Sequence, residues 1–151
     1  MFDFGIPGYR PSWLNSRREV LREHGPRLWA LVGRPLSRIW LVWDRREDEW
    51  FSDCPVLFDF DGEQVEINHW KFDDVSLTWN AIDPHRPPRW DGFDLEWRAE
   101  PLAGLSGLPG EPLKGVAVFL HREVSFAFED ATVGVYNALD ENGLSITATP
   151  S

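Results

Sequence analysis

The chain spells one pattern twice. The run Gly33-Arg34-Pro35-Leu36-Ser37-Arg38-Ile39-Trp40-Leu41-Val42 matches Gly110-Glu111-Pro112-Leu113-Lys114-Gly115-Val116-Ala117-Val118-Phe119 in its G-x-P-L opening and in the apolar residues that follow. Val56-Leu57-Phe58-Asp59-Phe60-Asp61 then matches Val124-Ser125-Phe126-Ala127-Phe128-Glu129, and Val65-Glu66-Ile67 matches Val133-Gly134-Val135. Val75-Ser76-Leu77-Thr78 against Leu144-Ser145-Ile146-Thr147 completes the series. The lead-ins also correspond, Pro26 with Leu28 and Leu31 against Pro101 with Leu102 and Leu105. Blocks that recur in the same order are the mark of an internal duplication.

Each block alternates apolar and polar residues, the period of a strand with one dry and one wet face. Phe58 and Phe60 stand opposite Asp59 and Asp61, and Val75, Leu77 and Trp79 opposite Ser76 and Thr78. Asp61-Gly62, Asn142-Gly143 and Arg122-Glu123 sit where hairpins must reverse, the first two with residues suited to positive φ. Leu95-Glu96-Trp97-Arg98-Ala99 adds a fifth strand to the first unit. The predicted fold is mainly β, an α+β chain in which one or two short N-terminal helices precede an antiparallel two-sheet sandwich or flattened barrel of two repeated four-strand units. Residues 1–151 are expected to form a single domain: an arm and short helices over 1–32, a first β unit with insertions over 33–100, and a second over 101–151. Ser16-Arg17-Arg18-Glu19 has the form of a capping box, and Gly25-Pro26 is expected to interrupt the helix it opens before a restart that ends at Gly33.

Nine Trp and ten Phe beside two Tyr make aromatic rings the outlier of the composition. An indole buries a large apolar face yet needs a partner for its N–H, so these rings belong either to a core with anchored loops or to an aromatic-lined surface. The net charge of −10 is unevenly spread: nine arginines against four acids over residues 1–46, then six bases against twenty-one acids. An acidic body repels phosphate backbones, which disfavours nucleic acid as a partner, and the basic head is expected to lie across the body and neutralise it. No run approaches the roughly 18 apolar residues of a membrane span, and the opening residues lack a basic-then-apolar signal. Cys54 stands alone, so an internal disulfide is excluded and a cytoplasmic setting fits. Thirteen arginines against two lysines is a usage common in high-GC bacteria.

Motifs with a mechanism are missing: there is no G-x-S-x-G, H-E-x-x-H, C-x-x-C, phosphate-cradling glycine loop or EF-hand loop. His24, His69, His85 and His121 are scattered without metal-ligand spacing. Pairs such as Asp48 with Asp53, or Asp59 with Asp61, have the residue types for acid/base hydrolysis or a hard cation without a spacing that selects either. The expectation is therefore no catalytic residue, no metal and no cofactor. What distinguishes the first unit is its insertions. Asp44 to Pro55 carries Asp48, Glu49, Trp50, Phe51 and Asp53, and Asn80 to Asp94 carries Arg86, Arg89, Trp90 and Phe93 on a segment stiffened by Pro84, Pro87 and Pro88. Trp, Phe and Arg on rigid loops are the chemistry of binding hot spots, so these nine residues are the candidate site.

The stretch from Leu36 to about Ile146, with Trp50-Phe51-Ser52-Asp53-Cys54-Pro55-Val56 and Tyr136-Asn137-Ala138-Leu139-Asp140-Glu141-Asn142-Gly143, resembles small uncharacterised bacterial β-rich proteins. In general appearance it is similar to the small acidic immunity proteins that neutralise a toxin by covering it. The acidic body and the two rigid aromatic loops favour a protein-binding module of this immunity-like kind, with a basic protein partner. A small-molecule or carbohydrate binder, or a minor hydrolase, using tryptophan rings between the sheets is the alternative, and open edge strands admit a homodimer.

Overall fold

The computed structural model describes residues 2–148 and begins with an irregular arm that leads into a single helix, α1 (Arg17–Trp29). The Ser16 hydroxyl caps it by accepting from the Glu19 N–H at 3.1 Å, while the Glu19 carboxylate reaches back to the Asn15 N–H. Gly25-Pro26 does not interrupt α1. A residue before proline is normally driven out of the α region by a clash that involves its own Cβ, and Gly25 has none. Pro26 is exposed, and its carbonyl still accepts from the Ala30 N–H at 3.1 Å.

Ten strands follow: β1 (Arg38–Asp44), β2 (Glu49–Trp50), β3 (Val56–Phe60), β4 (Glu63–Trp70), β5 (Asp74–Trp79), β6 (Leu95–Ala99), β7 (Gly115–Val118), β8 (Val124–Ala127), β9 (Ala131–Asn137) and β10 (Asn142–Ala148). In the first sheet β6 lines one side of β1, β2 and β3 follow one another along its other side, and β4 and then β5 continue beyond β3; the second sheet runs β10-β9-β8-β7. All pairings are antiparallel, and the two sheets pack as a sandwich rather than closing into a barrel. The β3–β4 reversal uses Asp61 and Gly62, both at positive φ (55° and 93°), as a primed two-residue turn demands. The β9–β10 reversal falls on Leu139 and Asp140 (φ 59° and 74°), not on Asn142-Gly143, because Asn142 is drawn into the interior and opens β10 instead. Between β7 and β8 the chain turns through Leu120 and His121, ahead of the expected Arg122-Glu123, and the Arg122 N–H closes onto the Phe119 carbonyl at 2.8 Å.

The two G-x-P-L segments lie against each other, with Pro35 and Pro112 in an antiparallel bridge. Their hydrogen bonds come in matched pairs. The Gly33 N–H reaches the Leu113 carbonyl at 2.8 Å and the Gly110 N–H the Leu36 carbonyl at 2.7 Å; the Leu36 N–H reaches Glu111 at 2.9 Å and the Leu113 N–H reaches Arg34 at 3.0 Å. Exchanging the segments maps each bond onto its mate, so a local twofold axis passes between the prolines. Gly33 and Gly110 have φ of 93° and 94°, a conformation that favours glycine in both openings. The correspondence continues in the strand registers: Ile39 faces Phe58 as Val116 faces Phe126, and Phe58 faces Val65 as Phe126 faces Val133. In the last hairpin Ile67 faces Leu77 as Val135 faces Leu144, which shifts the sequence alignment of that block by two residues. In the lead-in Leu28 and Leu31 correspond to Leu105 and Leu108, with the same N–H to carbonyl bond at 3.1 Å within each pair, rather than to Leu102 and Leu105.

Equivalent rings meet in the core. Phe58 and Phe126 lie 4.6 Å apart, and Phe60 stacks on Phe128 at 6.4 Å while touching Phe126 at 5.3 Å. Ile39, Leu41, Ile67 and Leu77 from one sheet and Val118, Val124, Val133 and Val135 from the other fill the space around them. Removing the ring that touches both partners leaves a cavity that neither sheet can close, so Phe126→Ala is expected to cost about 4 kcal/mol in chemical denaturation. A cost below about 1 kcal/mol would place that ring outside the shared core.

Candidate binding face

The outer face of the first sheet is where the chain departs from its sequence pattern. Gln64, Glu66, Asn68 and Ser76 point away from the sandwich core and alternate as residues of a wet face should, yet all four are buried. The arm and the segment following β5 cross over them. Glu66 is fully enclosed, and its carboxyl accepts four hydrogen bonds: from the Gln64 amide (2.8 Å), the Thr78 hydroxyl (2.6 Å) and the backbone N–H groups of Ala81 (2.9 Å) and Ile82 (3.1 Å). Two of the donors belong to the chain leaving β5, so this side chain fixes the direction in which the 80–94 segment departs. In Glu66→Gln an amide N–H would face donors, and the expected loss of stability is about 3 kcal/mol. A urea midpoint unchanged from the parent would contradict this anchoring role.

The covering layer is aromatic. Phe4, Ile6 and Tyr9 of the arm bury themselves against Val42, Cys54, Leu57, Ile82, Leu95 and Trp97, with Trp13, Trp40, Trp70 and Trp90 around the margin. Five of the nine tryptophans therefore line this layer and none forms the centre of the sandwich core. The Tyr9 hydroxyl lies beside Asn68 and Ser76 without a well-formed bond to either, and burial pushes its ionisation upward. Leu14 pairs with Val75 through both backbone bonds (2.8 and 2.9 Å), which covers the β5 edge. Gly5 permits the closest approach: a Cβ there would sit 2.1 Å from the Arg89 carbonyl oxygen, and its own carbonyl accepts from the Arg89 N–H at 2.9 Å. The Trp90 indole N–H donates to the Phe4 carbonyl at 2.5 Å.

These contacts bring part of the candidate set together. Phe51 packs edge-on against Trp90 at 4.9 Å and against Phe93 at 4.9 Å, and Phe2 meets Trp90 at 5.5 Å. Phe2 and Phe93 remain half in water, at 48% and 46% exposure. Phe2, Gly5, Arg89, Trp90 and Asp91 line an open cleft of about 250 Å³. Arg86 is exposed beyond this cluster, its N–H turned back to the Asp83 carbonyl. Trp50 faces the other side of the sheet and packs at the edge of the sandwich core. Asp48 accepts from the Trp43 indole at 2.9 Å and faces Arg98 at 3.6 Å, and Glu49 is exposed in β2. Asp53 is half-buried beside Asp140 and Glu141 of the second sheet.

Chain direction places all of this at one end. Asp44 pairs with Leu95, Val56 with Ile67 and Trp70 with Asp74, so the 44–55 insertion, the β4–β5 turn and the return of the 80–94 segment into β6 share that end of the first sheet, while the segment leaves β5 at the opposite end. Asn142 fastens the second sheet to it. Its amide nitrogen donates among the carbonyls of Ser52 (3.1 Å) and Cys54 (2.9 Å) and the Asn68 side chain (2.9 Å), and its oxygen accepts from the His69 N–H at 2.8 Å. The same oxygen lies 3.1 Å from His69 Nδ1 and the Arg122 carbonyl 3.3 Å from Nε2, so both ring nitrogens face acceptors and the neutral imidazole donates to one of them at a time. Neither His69 nor Asn142 was legible as part of this junction from sequence spacing. The basic head pairs elsewhere with the body, Arg27 with Glu63 (2.7 Å), Arg38 with Glu100 (3.0 Å) and Arg45 with Asp94 (3.6 Å).

Compared with known proteins, the chain matches no family model, no curated relative and no solved structure. The chemistry available is thus what its own residues offer. Cys54 is wholly buried, and that burial, followed by the charge of Asp53, pushes its thiol well above the ordinary range, away from thiolate reactivity. Among the described residues no cluster of His, Cys, Asp or Glu has the arrangement of a metal site. No helix among them is long and apolar enough to cross a membrane.

His69 gives the junction a pH dependence. Burial lowers its pKa from 6.5 to about 4, with the charges of Arg122 and His121 acting in the same direction. The folded state then binds fewer protons than the unfolded chain between those values. Stability contributed by the neutral imidazole is full above about pH 6.5 and falls on acidification to about 4, by on the order of 3 kcal/mol. His69→Gln, which keeps a donor for Asn142, is expected to flatten that part of the stability profile. An equal slope in both proteins would contradict the assignment.

Proposed function

We propose that this chain is a non-catalytic protein-binding module whose contact surface is the aromatic face formed by Phe2, Trp90 and Phe93 with Arg89, seated on the buried Phe51 ring. The observation that supports it is the meeting of the two insertions: Phe51 from one and Trp90 and Phe93 from the other pack within 4.9 Å and leave half of Phe93 in water. Rigid aromatic rings beside arginine, held by buried anchors, are the composition of interface hot spots, because little side-chain freedom is lost when a partner covers them. An acidic chain, net charge −10, favours a basic partner by steering the encounter. An inhibitor that acts by covering its target, as immunity proteins do, is a role of this kind. The small-molecule, carbohydrate or hydrolase reading has less behind it: the cleft beside the aromatic face, about 250 Å³, falls below the usual range of roughly 300–1,000 Å³ for ligand sites, and the roomier one of about 360 Å³, lined by Asp3, Gly8, Tyr9 and Arg10, has no tryptophan in its lining.

A photo-crosslinking residue at position 93 tests the proposal in the organism that makes the protein, with one at Thr147, exposed on β10 and away from this end, as the control. The expected result is a discrete adduct from 93 and none from 147, with Arg89→Ala and Phe93→Ala each weakening the isolated complex by at least roughly tenfold. Equal labelling from both positions, or no adduct from 93, would refute it.

A further inference from the structure

The end that carries the aromatic face also carries three hairpin tips: Lys71-Phe72-Asp73 between β4 and β5, Leu120-His121-Arg122 between β7 and β8, and Leu139-Asp140 between β9 and β10. Each tip places one large apolar side chain in water. Phe72, Leu120 and Leu139 are 74%, 82% and 78% exposed, more than any other large apolar residue described. Single exposed leucines are ordinary, but three at the tips of adjoining turns form a pattern that burial does not explain.

The tips are tied together at their bases. The Lys71 N–H donates to the Asp140 carboxylate at 2.5 Å, the Asn137 amide donates to the Lys71 carbonyl at 3.0 Å, and Arg122 pairs with Asp73 at 3.0 Å. His69 reaches the Arg122 carbonyl from below. The three apolar residues therefore stand on a braced platform. Leu139 is also in a costly place: both central residues of its turn have positive φ, the situation for which Asn-Gly is the relaxed choice, and a leucine there is strained while most of its side chain stands in water.

The surroundings of the tips are acidic. Segments 52–54, 70–74, 119–123 and 137–142 hold six acidic residues against Lys71 and Arg122. Arg122 is already paired with Asp73, whereas Asp53, Asp140 and Glu141 enter no ion pair among the described residues. Their mutual repulsion, after partial burial, raises the Asp53 carboxyl. Such a rim would repel the anionic headgroups of a membrane surface and attract lysine or arginine.

We infer that Phe72, Leu120 and Leu139 are a docking surface for a protein partner that presents an apolar cleft rimmed by basic residues. This rests on the protein-binding reading above and adds the partner's chemistry to it. The probe is an amphipathic helical peptide of leucine and lysine, titrated against the full chain, with a leucine–glutamate peptide of equal length and phosphatidylcholine vesicles, plain or with phosphatidylglycerol, in parallel. The combined variant Phe72→Ser, Leu120→Ser, Leu139→Asn leaves the charge unchanged, and Phe93→Ser probes the aromatic face separately.

The expected result is that the leucine–lysine peptide binds, the leucine–glutamate peptide does not, and the combined variant binds at least roughly tenfold more weakly, whatever Phe93→Ser does. Leu139→Asn alone is expected to raise the thermal midpoint by a few degrees while weakening binding, which marks a residue retained at the expense of stability. Loss through Phe93→Ser alone overturns the inference and leaves the protein-binding reading standing. No binding, or binding that neither variant weakens, overturns the inference, and the reading then stands or falls on the crosslinking result. Vesicle binding lost in the combined variant overturns it in favour of a membrane surface.

Discussion

A carboxyl group buried on a sheet face must be surrounded by donors, and supplying them at Glu66 determines much of what lies outside the sandwich. Two of its four partners are backbone N–H groups of the segment leaving β5, so the segment cannot leave in another direction without abandoning an enclosed acceptor. From that point the 80–94 chain runs along the outer face of the first sheet to the end where β6 begins. The arm fits between, with Gly5 seated against Arg89 and Phe4 receiving the Trp90 indole. A hydrogen bond in the interior of the layer is thereby linked to the position of rings at its surface.

The two sheets share a run of four strands in the same order, and the additions to the first are not shared. Pro35 and Pro112, Phe58 and Phe126, and Phe60 and Phe128 each meet their counterpart between the two sheets. The outer face of the first sheet has acquired a second layer. That of the second sheet has small residues, Gly134 and Gly143 among them, where a Cβ would strike Ser145 and Ser125 or the Tyr136 ring. Asymmetry of this kind concentrates bulky and polar chemistry at one end of one sheet, which is where the binding face lies.

Much of the fold could be read from the residues. Period-2 blocks located the strands, their repetition gave two meanders of the same order, and Asp61-Gly62 marked its turn, because each of these follows from local sterics and one dry face. The outer layer could not be read. Gln64, Glu66, Asn68 and Ser76 alternate as solvent-facing residues do, and only a distant segment converts them into a buried network. Gly25-Pro26 looked like a break because proline's usual effect depends on a Cβ that glycine lacks. Asn142-Gly143 resembled a turn because nothing nearby reveals that Asn142 bonds to Ser52, Cys54, Asn68 and His69. Of the candidate site, the rings that converge are those on the two insertions, while Trp50 alternates to the opposite face of the sheet. Leu120 and Leu139 gave a signal that is visible in hindsight, large apolar residues within short reversals where polar or glycine residues are the norm.

The account depends on the covering layer being part of the cooperative fold rather than a flap laid over a finished sandwich. Only then are Phe51, Trp90 and Phe93 held ready before a partner arrives, and only then does binding avoid the entropy of ordering them. Native-state hydrogen exchange measures this directly, by comparing the backbone N–H groups of Ala81, Ile82 and Arg89 with that of Phe58 in the core. The account predicts that all four exchange through the same global opening, with equal free energies. Exchange of the three outer groups through a separate opening of only about 1–2 kcal/mol would contradict it.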